Sequence, residues 1–357
     1  MSRVYNFAPG PAALPLPALE RAAKELVEYG GAGMSVMEMS HRSKMYLEIF
    51  DRVKSRFNKL MGVPDGYTTL MLQGGATAQF AAVPLNLLGE NGSAAYVNSG
   101  NFARGAMNEA GKYGVISVAG DSSDDGYTRI PIVDTDKLDG RAYLHITTNN
   151  TVYGTRWPSL PDSPIPLVAD MSSNILSERY DVTRFGAIYA GAQKNIGPAG
   201  LTIVIVRDEL LGRARRDCPL IMNWKAQADG GSMLNTPPCY AIYMAGLCLD
   251  WLDEQGGVAG IESVNVEKAR TLYETIDESK LFANPVKPSD RSRMNVVFTT
   301  GDADKDDAFC KAAAKAGLVN LKGHRVVGGM RASIYNAMPL EGVRALTAFM
   351  KKFEREN

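Results

Sequence analysis

The chain has 357 residues, and its 39 Lys and Arg balance 39 Asp and Glu, so its formal net charge is zero. This length suits one large α/β domain with an appendage or two domains, and the balanced charge argues against nucleic-acid or membrane-surface binding. The four cysteines lack metal-ligand spacing and only three histidines are present, which indicates reduced thiols and disfavours a metal site. Because no signal-like or membrane-spanning apolar stretch is present, we expect a cytoplasmic protein.

Short apolar runs alternate with helical or loop stretches between about residues 68 and 206. They follow an extended, Pro-rich stretch over residues 1–15 and a first helix that begins at Pro17. This alternation predicts an α/β fold with a mainly parallel seven-stranded sheet and helices on both faces. The predicted strands are residues 69–72, 94–97, 115–118, 142–146, 167–169, 187–190 and 201–206.

The C-terminal part of the chain predicts a smaller α/β domain. A predicted helix over residues 237–253 leaves the large domain. The predicted helices of the small domain are residues 258–279, 307–316 and 340–356, and its predicted strands are 293–300 and 330–335. We therefore predict a large domain over residues 16–254, and a small domain made of residues 1–15 and 255–357.

Lys194 and Asp170 are the two residues that are most informative about the reaction that the protein could catalyse. Lys194 lies in a turn rich in Gly, Ala and Pro, where loss of hydration favours a neutral amine that can form a Schiff base with an aldehyde. Asp170 ends a predicted strand, where it is placed to pair with a protonated pyridine nitrogen. Taken alone, a lysine near a turn is more often a solvated surface residue, and an aspartate at the end of a strand more often caps a helix. The two together are typical of a pyridoxal 5'-phosphate site.

Two other residues follow predicted strands, Gly75 and Thr151, and should meet Asp170 and Lys194 at one edge of the sheet. The turn from Gln73 to Phe80 follows a strand and opens a helix, so its backbone amides favour an anion such as phosphate. It lacks the P-loop pattern, and the sequence does not support an NTPase.

The segment Asn235-Thr236-Pro237-Pro238 has two compatible interpretations, a cap for the next helix and a second group of phosphate ligands. Cationic side chains are also paired: His41 with Arg42, and His324 with Arg325, followed by Arg331. A His-Arg pair suits a phosphate dianion, although surface salt bridges are the ordinary alternative.

The chain resembles the class V aminotransferase family, pyridoxal-phosphate enzymes with fold type I, nearly from end to end. The motifs that carry the resemblance are Asn6-Phe7 with Gly10-Pro11-Ala12, Ser35 to Arg42, Ala169 to Ser173, Tyr189 to Asn195, Asn235 to Pro238, and Gly323 to Ala337. Within the family, the two His-Arg pairs and the run from Arg331 to Ala337 are specific for enzymes that transfer an amino group between L-glutamate and 3-phosphohydroxypyruvate. The resemblance implies a homodimer with active sites at the interface, and it leaves 4-phosphohydroxy-L-threonine open as a second substrate.

The resemblance also implies a role for each candidate residue. Lys194 would bind the cofactor as an imine and Asp170 would pair with its ring nitrogen, while Thr151 would contact its phenolic oxygen and Phe102 would stack on its ring. The cofactor phosphate would be held by Ala76, Thr77 and Gln193, and by the partner subunit's Asn235 and Thr236. Substrate carboxylate and phosphate would be bound by Arg42 and Arg331, with His41, His324 and Arg325, partly across the dimer interface.

The chain departs from the family pattern in two features, the glycine loop and the stacking residue. Ala76 and Ala78 stand where glycine is usual, so we expect right-handed backbone dihedrals at both. Phe102 replaces the frequent tryptophan and offers a smaller aromatic face to the cofactor ring.

Three alternative functions stay open. An alanine–glyoxylate type aminotransferase would leave the paired His-Arg groups unexplained. A cysteine desulfurase would need a reactive cysteine on a mobile loop, for which Cys218 is the least excluded of the four. A non-catalytic phosphometabolite-binding protein on the same scaffold would be expected to lack Lys194 or Asp170.

Overall fold

The computed structural model describes residues 3–90 and 92–357. Its strands are β1 (Tyr5–Asn6), β2 (Tyr67–Leu72), β3 (Ser93–Asn98), β4 (Val115–Asp121), β5 (Leu144–Thr147), β6 (Leu167–Asp170), β7 (Ala187–Gly191), β8 (Thr202–Arg207), β9 (Asn295–Phe298), β10 (Leu318–Val319) and β11 (Met330–Ser333). Its α-helices are α1 (Leu16–Lys24), α2 (Lys44–Met61), α3 (Gly75–Leu87), α4 (Asn101–Ala110), α5 (Trp224–Asp229), α6 (Cys239–Glu254), α7 (Gly257–Asp277), α8 (Ala303–Lys315) and α9 (Leu340–Glu356).

Strands β2 to β8 form one sheet in the order β2-β8-β7-β6-β5-β3-β4, which confirms the predicted seven-stranded α/β architecture. Pairing is parallel from β7 through β6, β5 and β3 to β4. Strand β8 runs antiparallel to both β7 and β2. The chain therefore turns directly from β7 into the adjacent β8, whereas neighbouring parallel strands need a crossover connection.

Apolar side chains cover both faces of this sheet. Ile188 and Ala190 of β7 pack into a core with α2 and α6, whereas Ala187 and Tyr189 point to the opposite core with α3 and α4. Because both faces are buried, the strands are continuous apolar runs, and this is why the sequence predicted them.

The two ends of the chain meet in a second, smaller core. Strand β1 pairs in parallel with β10, and β9 pairs antiparallel with β11. Phe7 is fully buried in a cluster with Phe298, Phe309 and side chains of α9. This packing supports joining residues 1–15 to residues 255–357, although the domain boundaries stay a prediction.

Within the described residues, no helix is long and apolar enough to cross a bilayer. Helix α6 begins two residues later than predicted, because Pro238 occupies the position before it, and no side chain caps its first turn. Asn235 is therefore not the cap of this helix.

Candidate active site

A cavity of about 490 Å³ opens beyond the carboxyl ends of β2, β5, β6 and β7. Ligand sites of open α/β sheets lie at this edge. Of the residues singled out from the sequence, the lining includes Gly75, Ala76, Thr77, Phe102, Thr151, Asp170, Gln193, Lys194, His324 and Arg331. One cavity thus brings together the candidate lysine, aspartate, phosphate loop and two of the substrate-side groups.

Lys194 lies in the turn between β7 and β8, and its Nζ donates a hydrogen bond to Thr151 Oγ1 at 2.8 Å. Burial lowers the pKa of Lys194 to about 8, with the Arg331 cation acting in the same direction and the Asp170 carboxylate opposing both. A substantial fraction of the amine is therefore neutral near physiological pH, as a nucleophile for an aldehyde requires.

Asp170 is the last residue of β6 and is 5% exposed. Its Oδ1 accepts a hydrogen bond from the Ser172 backbone amide at 2.9 Å. Burial raises the pKa of Asp170, whereas the bonds from Ser172 and the charge of Lys194 lower it. Among the described residues, its Oδ2 receives no hydrogen bond, so this oxygen can accept one from a ligand.

The glycine loop joins β2 to α3. Gly74 has a φ of 96°, and a Cβ there would lie 2.5 Å from the Cβ of Ala78, so no other residue fits. Thr202 Oγ1 accepts from the Gly75 amide at 2.8 Å, which fixes the loop against β8. Ala76 and Ala78 lie inside α3 and are absent from the positive-φ residues, which confirms the expected right-handed backbone. The amide of Ala76 belongs to the first helical turn and has no intrahelical acceptor.

Arg331 is the most buried of the candidate substrate-binding cations, at 6% exposure. Its Nη1 donates to the Thr151 carbonyl oxygen at 3.1 Å, whereas its Nε is buried without a partner among the described residues. Burial lowers the pKa of Arg331, but a guanidinium keeps its charge at neutral pH. A ligand anion in the cavity would give this buried donor an acceptor.

His324 also lines the cavity, and its Nδ1 accepts a hydrogen bond from the Val326 amide at 3.3 Å. Burial lowers the pKa of His324, and the cations Arg331 and Arg325 lower it further. A neutral imidazole with Nδ1 as acceptor carries its proton on Nε2, which leaves Nε2–H as a donor for an anion.

Five candidate residues lie outside this cavity within one chain. They are His41, Arg42, Asn235, Thr236 and Arg325. All except His41 are exposed, and the carbonyl oxygen of Thr236 accepts from Gln73 Nε2 at 2.8 Å. For Asn235 and Thr236 the role in a partner's site that the resemblance implies stays a prediction.

The cavity also has walls that the sequence did not assign to the site. Pro9 and Gly10 line it, and a Cβ at Gly10 would lie 3.5 Å from Cγ of Lys194. The carbonyl oxygen of Pro9 accepts from the Tyr335 hydroxyl at 2.8 Å, which holds this segment in place. Thr147 is a further lining residue, and its Oγ1 has no partner among the described residues.

These residues fit pyridoxal 5'-phosphate, an aldehyde with a ring nitrogen and a phosphate group. Lys194 supplies the amine, Asp170 supplies a buried carboxylate, and the first turn of α3 supplies free amides for an anion. Phe102 is 40% exposed beside them, with its ring centroid 5.6 Å from Lys194 Nζ.

The cysteines disfavour the alternative function of a desulfurase. None of the four lines the cavity, and burial raises the pKa of Cys218, which makes its thiol less reactive.

Comparisons with known proteins agree with this chemistry. The family model of class V aminotransferases matches residues 4–346. Phosphoserine aminotransferases of Bacillus cereus and Listeria monocytogenes are 53% and 56% identical to the chain, with 100% and 99% of it covered, and 100% and 97% of their own lengths.

Solved structures give the same result. The phosphoserine aminotransferase of Bacillus circulans superposes with a TM-score of 0.96 at 43% identity, over 99% of both chains. A PLP-bound phosphoserine aminotransferase from Trichomonas vaginalis superposes with a TM-score of 0.94 at 40% identity, over 98% of this chain and 100% of that chain. An alanine–glyoxylate aminotransferase from Nostoc shares only the fold, with a TM-score of 0.76 at 16% identity over 99% of this chain and 96% of that one. The chain therefore belongs to the class V aminotransferase family.

Proposed function

We propose that the protein transfers the amino group between L-glutamate and 3-phosphohydroxypyruvate, giving 2-oxoglutarate and O-phospho-L-serine, with pyridoxal 5'-phosphate as its cofactor. The observation that carries the proposal is the single cavity in which Lys194, Asp170, Arg331 and His324 meet. Its support is the full-length similarity to phosphoserine aminotransferases.

When bound, pyridoxal phosphate supplies the aldehyde carbon and the electron-withdrawing ring that make the Cα–H of an amino acid acidic. Asp170 holds a proton on the ring nitrogen, because a buried carboxylate favours a cationic partner. Lys194 would hold the cofactor covalently through Nζ. As a free amine, the same Nζ would be the group that takes up the Cα proton of the amino-acid substrate. Its lowered pKa keeps the amine available as a base near neutral pH.

The remaining groups bind and orient. Ala76, Thr77 and Gln193, which line the cavity near the start of α3, would hold the cofactor phosphate. Thr151, whose hydroxyl accepts from Lys194, would contact the cofactor, and Phe102 would cover its ring.

Arg331 binds the substrate through Nε, which is buried without a partner among the described residues, and His324 donates from Nε2 to the substrate phosphate. A cavity with several buried donors loses binding energy when a ligand lacks the matching acceptor. The same reasoning explains why the amino acceptor of the proposed reaction carries a phosphate group.

We further propose a homodimer in which Asn235 and Thr236 reach the partner's cofactor phosphate and Arg42, His41 and Arg325 complete the substrate site. Apolar side chains near His41 are exposed in a single chain, with Met34 at 43% and Met37 at 57%, which supports a covering partner. The domains of residues 16–254 and of residues 1–15 with 255–357 are part of the same proposal. We also propose a cytoplasmic location, which the four free cysteines support.

The test of the reaction is a coupled assay with L-glutamate as donor, comparing 3-phosphohydroxypyruvate with hydroxypyruvate. We expect kcat/KM to fall by at least roughly 100-fold when the phosphate is missing, since Arg331 and His324, the substrate-side residues that line the cavity, lose an acceptor. Lys194→Ala is the inactive control, and it should lose both turnover and the visible absorbance of the bound cofactor. Equal rates with both acceptors would reject the assignment. The same assay with the phosphorylated hydroxythreonine tests a role in pyridoxine synthesis.

The shared site is tested by mixing two inactive variants, Lys194→Ala and the double variant Asn235→Ala with Thr236→Ala. After subunit exchange, a hybrid dimer contains one site with an intact Lys194 and an intact partner loop. Activity should therefore reappear on mixing. If Asn235 and Thr236 act within their own chain, no hybrid site is complete and the mixture stays inactive.

A further inference from the structure

The turn after β11, residues 334–338, is held by a lysine that the proposed reaction does not use. Lys268 of α7 is fully buried, and its Nζ donates to the carbonyl oxygens of Ile334 at 3.1 Å, Tyr335 at 2.8 Å and Met338 at 3.0 Å. Three acceptors match the three N–H donors of an ammonium group. Lys268 therefore fixes the backbone of this turn.

Asn336, inside the turn, bonds to both loops that carry the candidate catalytic residues. Its backbone amide donates to Oδ1 of Asn195, the neighbour of Lys194, at 3.0 Å. Its side-chain amide donates to the Leu176 carbonyl oxygen at 2.9 Å, in the loop that follows Asp170. Asn336 is 4% exposed, so these bonds are shielded from competing water. One residue of the C-terminal part thus connects the Lys194 loop to the Asp170 loop.

The loop after Asp170 needs such bonds to keep its shape. Leu176 has a φ of 59°, a left-handed conformation that costs a non-glycine residue about 1–2 kcal/mol. Asn265, also on α7, donates to the Ser177 carbonyl oxygen at 3.0 Å and to Asn336 Oδ1 at 2.8 Å. Helix α7 therefore braces both the strained loop and the residue that ties it to Lys194.

We propose that Asn336 is a positioning residue for the amino transfer, which sets the Lys194 loop against the Asp170 loop and is itself held by Lys268 and Asn265. The kinetic part of this inference rests on the proposed function. Proton transfer by Lys194 needs its Nζ within reach of the substrate Cα while Asp170 stays on the ring nitrogen. Small misplacements of such groups lower kcat sharply.

The test compares Asn336→Ala with Asn284→Ala as the matched control. Asn284 makes bonds of the same kind, to the Val297 carbonyl oxygen and the Val286 amide, but it contacts neither loop. The first measurement is hydrogen exchange of the cofactor-free protein over residues 171–178 and 192–197. Asn336→Ala removes the side-chain bonds to Leu176 and Asn265 but keeps the backbone amide that donates to Asn195. Exchange should therefore accelerate over residues 171–178 of Asn336→Ala and in neither segment of the control.

The second measurement is steady-state kinetics of the loaded enzyme. Asn336→Ala should lower kcat roughly 10- to 100-fold while KM for both substrates stays nearly unchanged, because ground-state binding groups are retained. Asn284→Ala should match the wild type. If the wild type itself transferred no amino group, the proposed function would fail, while the exchange measurement would still decide the inference.

Asn195→Ala covers the case in which Asn336→Ala does not fold. Asn195 is partly exposed, and its substitution removes the acceptor of the Asn336 amide while keeping the bond to Leu176. Exchange should then accelerate over residues 192–197 and stay unchanged over 171–178. Unchanged exchange in both loops of either folded variant, or equal acceleration in Asn284→Ala, overturns the proposal.

Discussion

Replacing Thr151 by valine should lower the pKa of Lys194 in the cofactor-free protein. The hydroxyl oxygen of Thr151 accepts from Lys194 Nζ at 2.8 Å. A hydrogen bond to a charged group contributes about 1.5–3 kcal/mol, and one to the neutral amine about 0.5–1.5 kcal/mol. The midpoints of these ranges differ by about 1.3 kcal/mol, which is close to one pKa unit, so the pKa of about 8 should fall by about one unit.

Thr147→Val is the matched control, because Thr147 lines the same cavity at 3% exposure, compared with 4% for Thr151, and its hydroxyl has no partner in the described part of the chain. The assay is trace acetylation of the cofactor-free protein as a function of pH, with the modified Lys194 peptide measured by mass spectrometry. The midpoint should move in Thr151→Val alone. Equal midpoints in the two variants would refute the assigned hydrogen bond.

Phe102→Trp should slow cofactor release about 2- to 12-fold, since a larger aromatic face adds about 0.5–1.5 kcal/mol of contact; an unchanged rate in a dilution experiment would contradict stacking at this position. Arg331→Gln should raise the pKa of Lys194, because a nearby cation is lost, and should raise KM for the phosphorylated acceptor; acetylation and steady-state kinetics measure these two effects. Burial lowers the pKa of Lys268 to about 7, below that of an unfolded lysine, so the unfolded state binds more protons between about pH 7 and 10. The free energy of unfolding of the wild type, measured relative to that of Lys268→Met, should therefore increase with pH, by at most about 1.4 kcal/mol per pH unit. Chemical denaturation from pH 7 to 9 measures this difference, and a difference that does not change with pH would refute the prediction.

The seven strands of the large sheet were predictable because each is an apolar run bounded by turn residues. The direction of β8 was not, since a fully buried strand has the same pattern in parallel and antiparallel pairing. Strands β1 and β10 have two residues each, too few for any periodicity to be visible. Their pairing depends on contacts between the two ends of the chain.

The candidate site was predictable where a residue follows a strand. Lys194 and Asp170 are of this kind, because the carboxyl ends of parallel strands lie at one edge of the sheet, independently of the conformation of the loops. Pro9 and Gly10 were missed because they reach the cavity through a bond from Tyr335, far away in the sequence. The role of Asn336 was hidden for the same reason, since its partners lie in two other loops.

The pairing of β1 with β10 has a consequence for the order in which this protein is built. The segment that walls the cavity beside Lys194 is synthesised long before residues 318–319, and its strand has no neighbour until those residues have been synthesised. Among the described strand pairings this one spans the longest stretch of chain, so it carries the largest loop-closure cost and is expected to form late. The large sheet can assemble during translation, whereas the cofactor pocket receives its last wall only after residues 318–319 have been synthesised.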